Sequence, residues 1–192
     1  MAIPLPKLTP EQYLVIERDA PYKSEYYRGE MFAMAGGTGC HNELSGRIIG
    51  ILFGRLVGRG CKVYTSDMKV RTGPLDLYTY PDVTIACGKP MFADGKSDVL
   101  VNPKVIFEVL SKSTESKDRG FKFQHYKMIP SLEEYVLVSK SEHYIESWSR
   151  SPGAAWSGYS EPRGLDAILE LKSLGVEIAL AEVYRDVELE SE

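Results

Sequence analysis

The residues best equipped for chemistry gather in one stretch, Asn102 to Tyr126. It opens with Val105-Ile106-Phe107-Glu108-Val109-Leu110, a short apolar run with a single carboxylate in its middle. β-Branched and aromatic residues over that length predict a buried strand. A carboxylate carried into a buried strand is costly unless it is paired or bound to a cation. Ser111 to Ser116 then supply polar side chains able to cap a helix start. Asp118, Lys122 and Tyr126 follow at intervals of four, which sets all three on one face of a helix. A strand delivers an acid, and the helix after it returns an acid, an amine and a phenol.

A second acid lies upstream in Tyr80-Pro81-Asp82-Val83-Thr84-Ile85-Ala86. Proline is tolerated at a strand start, so Asp82 stands beside the first residues of another strand. It precedes Glu108 by 26 residues, and the loop from Gly88 to Asn102 is long enough to bring the two strands side by side. Two facing acids repel unless a hard cation lies between them. Magnesium suits such a place, because it takes one or two carboxylates together with waters and substrate phosphate. Structural readings stay open: Pro-Asp often starts a turn, and Glu108 could be a core acid paired with Lys122 or Arg119.

Pro81-Asp82, then Glu108-Val109-Leu110, then Asp118, Lys122 and Tyr126 resemble the PD-(D/E)xK nuclease superfamily, and within it the Uma-two family of bacterial endonucleases. The resemblance extends to Glu25-Tyr26-Tyr27-Arg28-Gly29-Glu30-Met31, to His41 before a long helix, and to Leu132-Glu133-Glu134-Tyr135-Val136-Leu137-Val138. It implies a restriction-endonuclease-like fold, a mixed central β-sheet flanked by helices. It also implies Mg2+ (or Mn2+) held by Asp82, Glu108 and the backbone carbonyl of Val109. One position departs from the superfamily pattern: Leu110 stands two residues after the acid, where a lysine is expected. Positions i and i+2 share a strand face, so Leu110 fills the amine's slot. In the family resembled, a lysine from the following helix replaces it, and Lys122 is the matching residue.

Around this site the sequence is that of an ordinary globular chain. Its 192 residues suit one domain, residues 1–192, and 43% hydrophobic with 26% charged residues is unexceptional. No apolar run approaches the ~20 residues that cross a bilayer, and Met1 to Pro6 lack the pattern of a signal peptide. A cytoplasmic protein is expected. Cys40, Cys61 and Cys87 are odd in number and form no CxxC pair, which predicts free thiols rather than a disulfide framework or zinc site. The net charge of −4 does not favour a polyanion partner, since non-specific DNA affinity comes mostly from Lys and Arg. A local basic patch of Lys112, Lys117, Arg119, Lys122 and Lys127 could compensate, although Lys112, Lys117 and Lys127 read more simply as solvated helix positions.

The supporting elements read in order. Thr9-Pro10-Glu11-Gln12 has the cap, the first-position proline and the capping-box glutamine of a helix start. A helix to about Asp19 follows, with Tyr13, Leu14 and Ile16 as its apolar contacts. Lys23 to Tyr27 and Glu30 to Ala35 form a hairpin turning at Arg28-Gly29. Glu30 is then either an accessory acid at the metal site or a surface partner of Arg28 or Lys23. After Gly36 to Gly39 a helix from about His41 to Val57 presents Leu44, Ile48, Ile51, Leu52 and Leu56 to the core. His41, at its start, could contact a phosphate or help cap. Cys61 to Thr65 and Met68 to Thr72 are strands, and Gly73-Pro74 turns the chain. Asp94 to Asp98 is a polar loop, and the site helix ends at Pro130. Glu134 to Ser139 and His143 to Ser149 make a second hairpin, Ala154 to Tyr159 another strand, and Leu180 to Arg185 a short helical turn. Glu188 to Glu192 is an acidic, frayed tail. Helices and strands in this order give an α/β or α+β sandwich.

Two functions compete. One is a metal-dependent DNA endonuclease in which Lys122 orients the attacking water, Asp118 and Tyr126 position Lys122, and Glu30 and His41 assist. The other is a binding or scaffold protein that kept the fold and lost the chemistry, a reading favoured by Leu110 and by the acidic net charge. A homodimer would suit cutting of two strands.

Overall fold

The computed structural model describes residues 7–73 and 77–190; the amino-terminal Met1 to Pro6, Pro74 of the expected turn and the last two residues of the acidic tail lie outside them. Helix α1 (Pro10–Asp19) begins with the expected capping box, Thr9 and Gln12 each bonding the other's backbone N–H. Tyr13 and Leu14 are buried as expected. Ile16 instead points outward, 45% exposed, and Glu17 takes the inward position. Glu17 is tolerated there because it accepts hydrogen bonds from the Ser24 N–H and the Tyr80 hydroxyl.

Strands β1 (Ser24–Tyr27) and β2 (Glu30–Ala33) form the first hairpin. Its two-residue turn puts both Arg28 and Gly29 at positive φ, the twist that matches the flanking strands. Helix α2 (Gly39–Leu56) follows, capped by Thr38 and burying Leu44, Ile48, Leu52 and Leu56, while Ile51 is half-buried. The chain continues as β3 (Cys61–Thr65), β4 (Lys69–Thr72), β5 (Leu77–Thr79), β6 (Val83–Cys87), the short β7 (Val99–Leu100) and β8 (Val105–Val109). The site helix comes next. It is interrupted: α3 (Glu115–Lys117) passes through a π-helical turn, Asp118–Lys122, into α4 (Phe123–Tyr126). Strands β9 (Glu134–Val138) and β10 (Ile145–Ser149) form the expected second hairpin, and the strand expected from Ala154 is confined to β11 (Gly158–Ser160). A hairpin the sequence pattern did not suggest, β12 (Ile168–Leu171) and β13 (Val176–Ala179), leads into α5 (Leu180–Tyr184).

A six-stranded mixed sheet in the order β11-β10-β9-β8-β6-β3 is the centre of the molecule. Only β8 and β9 run parallel within it, joined by the crossover that carries the site helix. A second sheet, β2-β1-β5-β4-β7, lies alongside. Strand β8 explains the layering through its period of two. Val105, Phe107 and Val109 enter one core with Leu44, Ile48, Leu52 and Leu56 of α2. Ile106 and Leu110 enter another with Val70, Leu100, Phe123 and Tyr126. Glu108 lies between those two on the same face. A third cluster packs Tyr13 and Leu14 of α1 against Tyr26 and Tyr78. Among the described residues, no helix is long and apolar enough to cross a membrane.

The expectation of three free thiols is corrected. Cys61 and Cys87 are directly paired across β3 and β6 and form a disulfide, leaving Cys40 free. Counting cysteines could not show this, because the pairing follows from strand register. Only register places two residues 26 apart opposite each other. The tail is also less loose than expected at its described end: Glu190 pairs with Lys140 at 2.6 Å and accepts from the Thr38 hydroxyl. The Cys61–Cys87 disulfide closes a loop of 26 residues, which removes unfolded-state entropy worth about 3 kcal/mol. Cys61→Ser should therefore lower the unfolding free energy by roughly that amount. Denaturant titration with and without reductant checks it: reductant should shift the wild type and leave the variant unmoved.

Candidate active site

The antiparallel register of β6 and β8 pairs Val83 with Phe107, and one further step sets Asp82 opposite Glu108. The two acids that the sequence placed on neighbouring strands therefore meet at one end of the central sheet. Asp82 is fixed from two directions. The Val109 backbone N–H donates to its Oδ2 at 2.7 Å, and His41 Nε2 meets its Oδ1 at 2.9 Å. His41 is in the first turn of α2, so the helix packed on one face of the sheet reaches the acid at the strand end.

Glu108 is almost wholly buried, and its Oε1 accepts from Lys122 Nζ at 3.0 Å and from the Tyr126 hydroxyl at 2.9 Å. The spacing of four thus does what it promised. Asp118, one turn earlier, faces the same ammonium at 3.1 Å. The π-helical turn between Asp118 and Lys122 widens the helix where these side chains must converge, a common place for such an irregularity. Tyr126 is anchored in turn by Thr79 at 2.8 Å, and the Tyr135 hydroxyl donates to the Asp118 carbonyl at 3.1 Å.

Glu25 belongs to this cluster, although the sequence reading did not single it out as a site acid. Its carboxylate lies 3.4 Å from Lys122 Nζ and also pairs with Lys117. The available signal was an acid at the second position of a short strand, followed by two tyrosines. Glu30, chosen instead, is exposed on β2 opposite Tyr27 and enters no ion pair among the described residues. Its other suggested partner, Lys23, pairs with Asp67 at 2.5 Å. Of the proposed basic patch only Lys117 and Lys122 reach the acids. Arg119 turns away to Glu115, Glu146 and Tyr144, and Lys127 lies 4.1 Å over the Phe123 ring.

The electrostatics follow from burial. Desolvation pushes the Glu108 carboxyl up from 4.5 to about 8, against the pull of Lys122 and with help from Asp118 and Asp82. Asp118 is raised by burial too. Burial alone would lower the Lys122 amine, but Glu108, Asp118 and Glu25 override it and hold it well above its usual value. Burial and Glu108 keep the Tyr126 phenol protonated, hence a donor.

Whether a divalent cation fits depends on the donor set. Glu108, Asp118 and Glu25 face one buried ammonium while Asp82 meets His41, and the Asp118 Oδ1 and Glu25 Oε1 atoms lack a well-aligned hydrogen-bond donor. Three acids thus share Lys122 in a place with little water, with Lys117 also on Glu25. Among the described residues no three His, Cys, Asp or Glu side chains converge as a ready-made metal cage. Magnesium needs no such cage, since one or two carboxylates suffice when waters and phosphate complete the shell. Asp82 and Glu108 fit that requirement.

The Uma2 family model, described as "Putative restriction endonuclease", matches residues 10–181. The chain belongs to the Uma2 family. An "Uncharacterized protein" of Synechocystis sp. is 37% identical over 183 residues, covering 95% of this chain and 94% of that one. A second from the same organism is 33% identical over 149 residues, or 78% and 84% of the two chains. The crystal structure of a "putative nuclease" from Anabaena variabilis superposes with a TM-score of 0.74 at 14% identity, covering 92% of this chain and 97% of that one. At that identity the likeness establishes the fold, and it agrees with the nuclease-like architecture expected of a Uma2 chain.

Glu108 makes stability depend on pH in a definite direction. Below pH 4.5 the group is protonated folded and unfolded alike. Between 4.5 and about 8 the unfolded chain ionises it while the folded chain keeps the proton. Stability should therefore fall as pH rises through that window and level off above it. In Glu108→Gln this component should vanish, which urea midpoints at pH 5, 6.5 and 8 would show.

Proposed function

We propose that this Uma2 chain is a metal-dependent DNA endonuclease of the PD-(D/E)xK type, with Mg2+ or Mn2+ held by Asp82, Glu108 and the Val109 carbonyl. The observation that carries this reading is Lys122 Nζ on the Glu108 carboxylate. An amine absent from the strand at Leu110 is supplied by the following helix, within 3.0 Å of the acid. The cation, when bound, supplies positive charge against a phosphoryl oxygen and makes a neighbouring water more acidic.

The chain's own residues do the rest. His41 and the Val109 N–H orient Asp82 so that its carboxylate keeps one direction. Glu108 faces the same end of the sheet and presents its second oxygen. Lys122, kept charged by its acids, is placed to steady the attacking water and the negative charge that builds on the phosphate. Asp118, Glu25 and Tyr126 hold Lys122 and Glu108 in register. They act by positioning rather than by touching substrate.

Supercoiled plasmid provides the test. Wild type should nick it with magnesium or manganese and stop when a chelator is added, whereas Glu108→Gln prepared in parallel should not cut. Equal cutting by both preparations would mean a contaminating nuclease and would overturn the reading. A binding readout stands beside it. Magnesium should raise the melting temperature of wild type by binding the native state, and Asp82→Asn with Glu108→Gln should abolish that rise. Lys122→Ala needs a check of folding, because an acid left buried without its partner costs about 3–5 kcal/mol. Leu110→Lys in that background should recover stability and some cutting, since residue 110 shares the strand face of Glu108.

A further inference from the structure

Resting on the nuclease reading, we propose that Phe32 is a stacking platform for an unpaired nucleobase beside the scissile phosphodiester, so that the substrate is DNA with single-stranded nucleotides at the cut. The hairpin register pairs Phe32 with Glu25 and Glu30 with Tyr27. Directly paired residues share a sheet face, and so do residues two apart on one strand. Phe32 therefore emerges on the same face as Glu25, whose carboxylate holds Lys117 and Lys122. Met31, between Glu30 and Phe32, points the other way, against the aromatic cluster beneath α1. A cross-strand pair lies ~5 Å apart at Cβ, which sets the ring within one nucleotide's reach of the acid cluster.

The ring is open and its surroundings are firm. Phe32 is 45% exposed, and β2 is the edge strand of its sheet. On the same face, Tyr27 packs edge-on against Phe121 at 4.9 Å and His125 at 5.1 Å, which ties the hairpin to the site helix. Lys117 Nζ stands 5.8 Å from the Phe32 ring centre, and the Arg28 guanidinium lies 5.2 Å over Tyr27. A half-exposed ring with an ammonium 5.8 Å from its centre matches a nucleotide, whose base stacks while its phosphate meets the cation. In the interior of a duplex both faces of each base are already covered, so away from duplex ends the platform is usable only by an unpaired base. The net charge of −4 points the same way. A chain of negative net charge gains little from phosphate contacts along a duplex, and stacking supplies affinity that does not depend on counterion release.

Fluorescein-labelled oligonucleotides measure this by anisotropy, with magnesium and with chelator, on a single strand, a blunt duplex and a duplex with a short single-stranded gap. Wild type should prefer the single strand and the gap. Phe32→Ala should weaken both by on the order of tenfold and leave the blunt duplex unchanged. Phe32→Tyr should retain binding, and Phe32→Leu, apolar without a π-face, should behave like Phe32→Ala. The residue is exposed, so melting temperatures should match wild type and confirm the fold. If Phe32→Ala binds single strands like wild type, or if Phe32→Leu retains binding, the platform is wrong while the nuclease reading stands. If wild type binds no DNA and nicks no plasmid, both fall together.

Discussion

A buried ammonium shared among carboxylates is the interaction on which the rest of this structure turns. Lys122 lies 3.0 Å from Glu108, 3.1 Å from Asp118 and 3.4 Å from Glu25, contributed by three different elements. Burying any one of those charges alone would be prohibitive. Together they remain costly, and a well-packed apolar replacement would often be as stable. The arrangement therefore makes poor sense as a device for stability and good sense as a device for position. It forces β1, β8 and the site helix into a single geometry, because a slip in any of them strands a charge.

The flanking apolar layers work to the same end. Strand β8 sends Phe107 and Val109 into the core beneath α2, and Ile106 and Leu110 into the core beneath the site helix. With both faces sealed, Glu108 has little contact with water, and its carboxyl is pushed up to about 8. Lys122 stays charged in spite of that sealing, because Glu108, Asp118 and Glu25 outweigh the cost of its burial. The π-helical turn fits this picture. An ordinary helix would satisfy its backbone more regularly, yet the irregular turn lies between Asp118 and Lys122, where two side chains must meet a third on the strand.

Much of this was legible in the sequence, for identifiable reasons. Asp118, Lys122 and Tyr126 could be grouped because a spacing of four is a local, periodic signal, and Glu108 because a charge interrupts an apolar run. Strand β8, helix α2 and the hairpin at Arg28-Gly29 carried equally local patterns. What escaped is what depends on partners distant in the chain. Glu25 joins the cluster only because β1 docks against the site helix 92 residues further on, as its bond to Lys117 records. The Cys61–Cys87 pairing depends on the register of β3 with β6. Ile16 was read as core from its apolar character, but Glu17 had better partners inward in Ser24 and Tyr80.

An amine carried by the helix rather than by the strand changes what the acid cluster requires of the fold. A lysine at position 110 would be placed by the strand that carries Glu108, and the two would keep their spacing as long as β8 existed. Lys122 is placed only when the site helix is docked on the sheet and Asp118 and Glu25 are in reach. Assembly of the amine–acid pair is therefore coupled to tertiary packing rather than to one strand. The aromatic contacts of Tyr27 with Phe121 and His125, and of Phe123 with Tyr135 at 4.9 Å, form that packing on opposite sides of the helix. A change that loosened either contact would displace the ammonium before it disturbed the strand. In this chain the integrity of the site is set at the helix–sheet interface, and the hairpin that bears Glu25 and Phe32 is part of it.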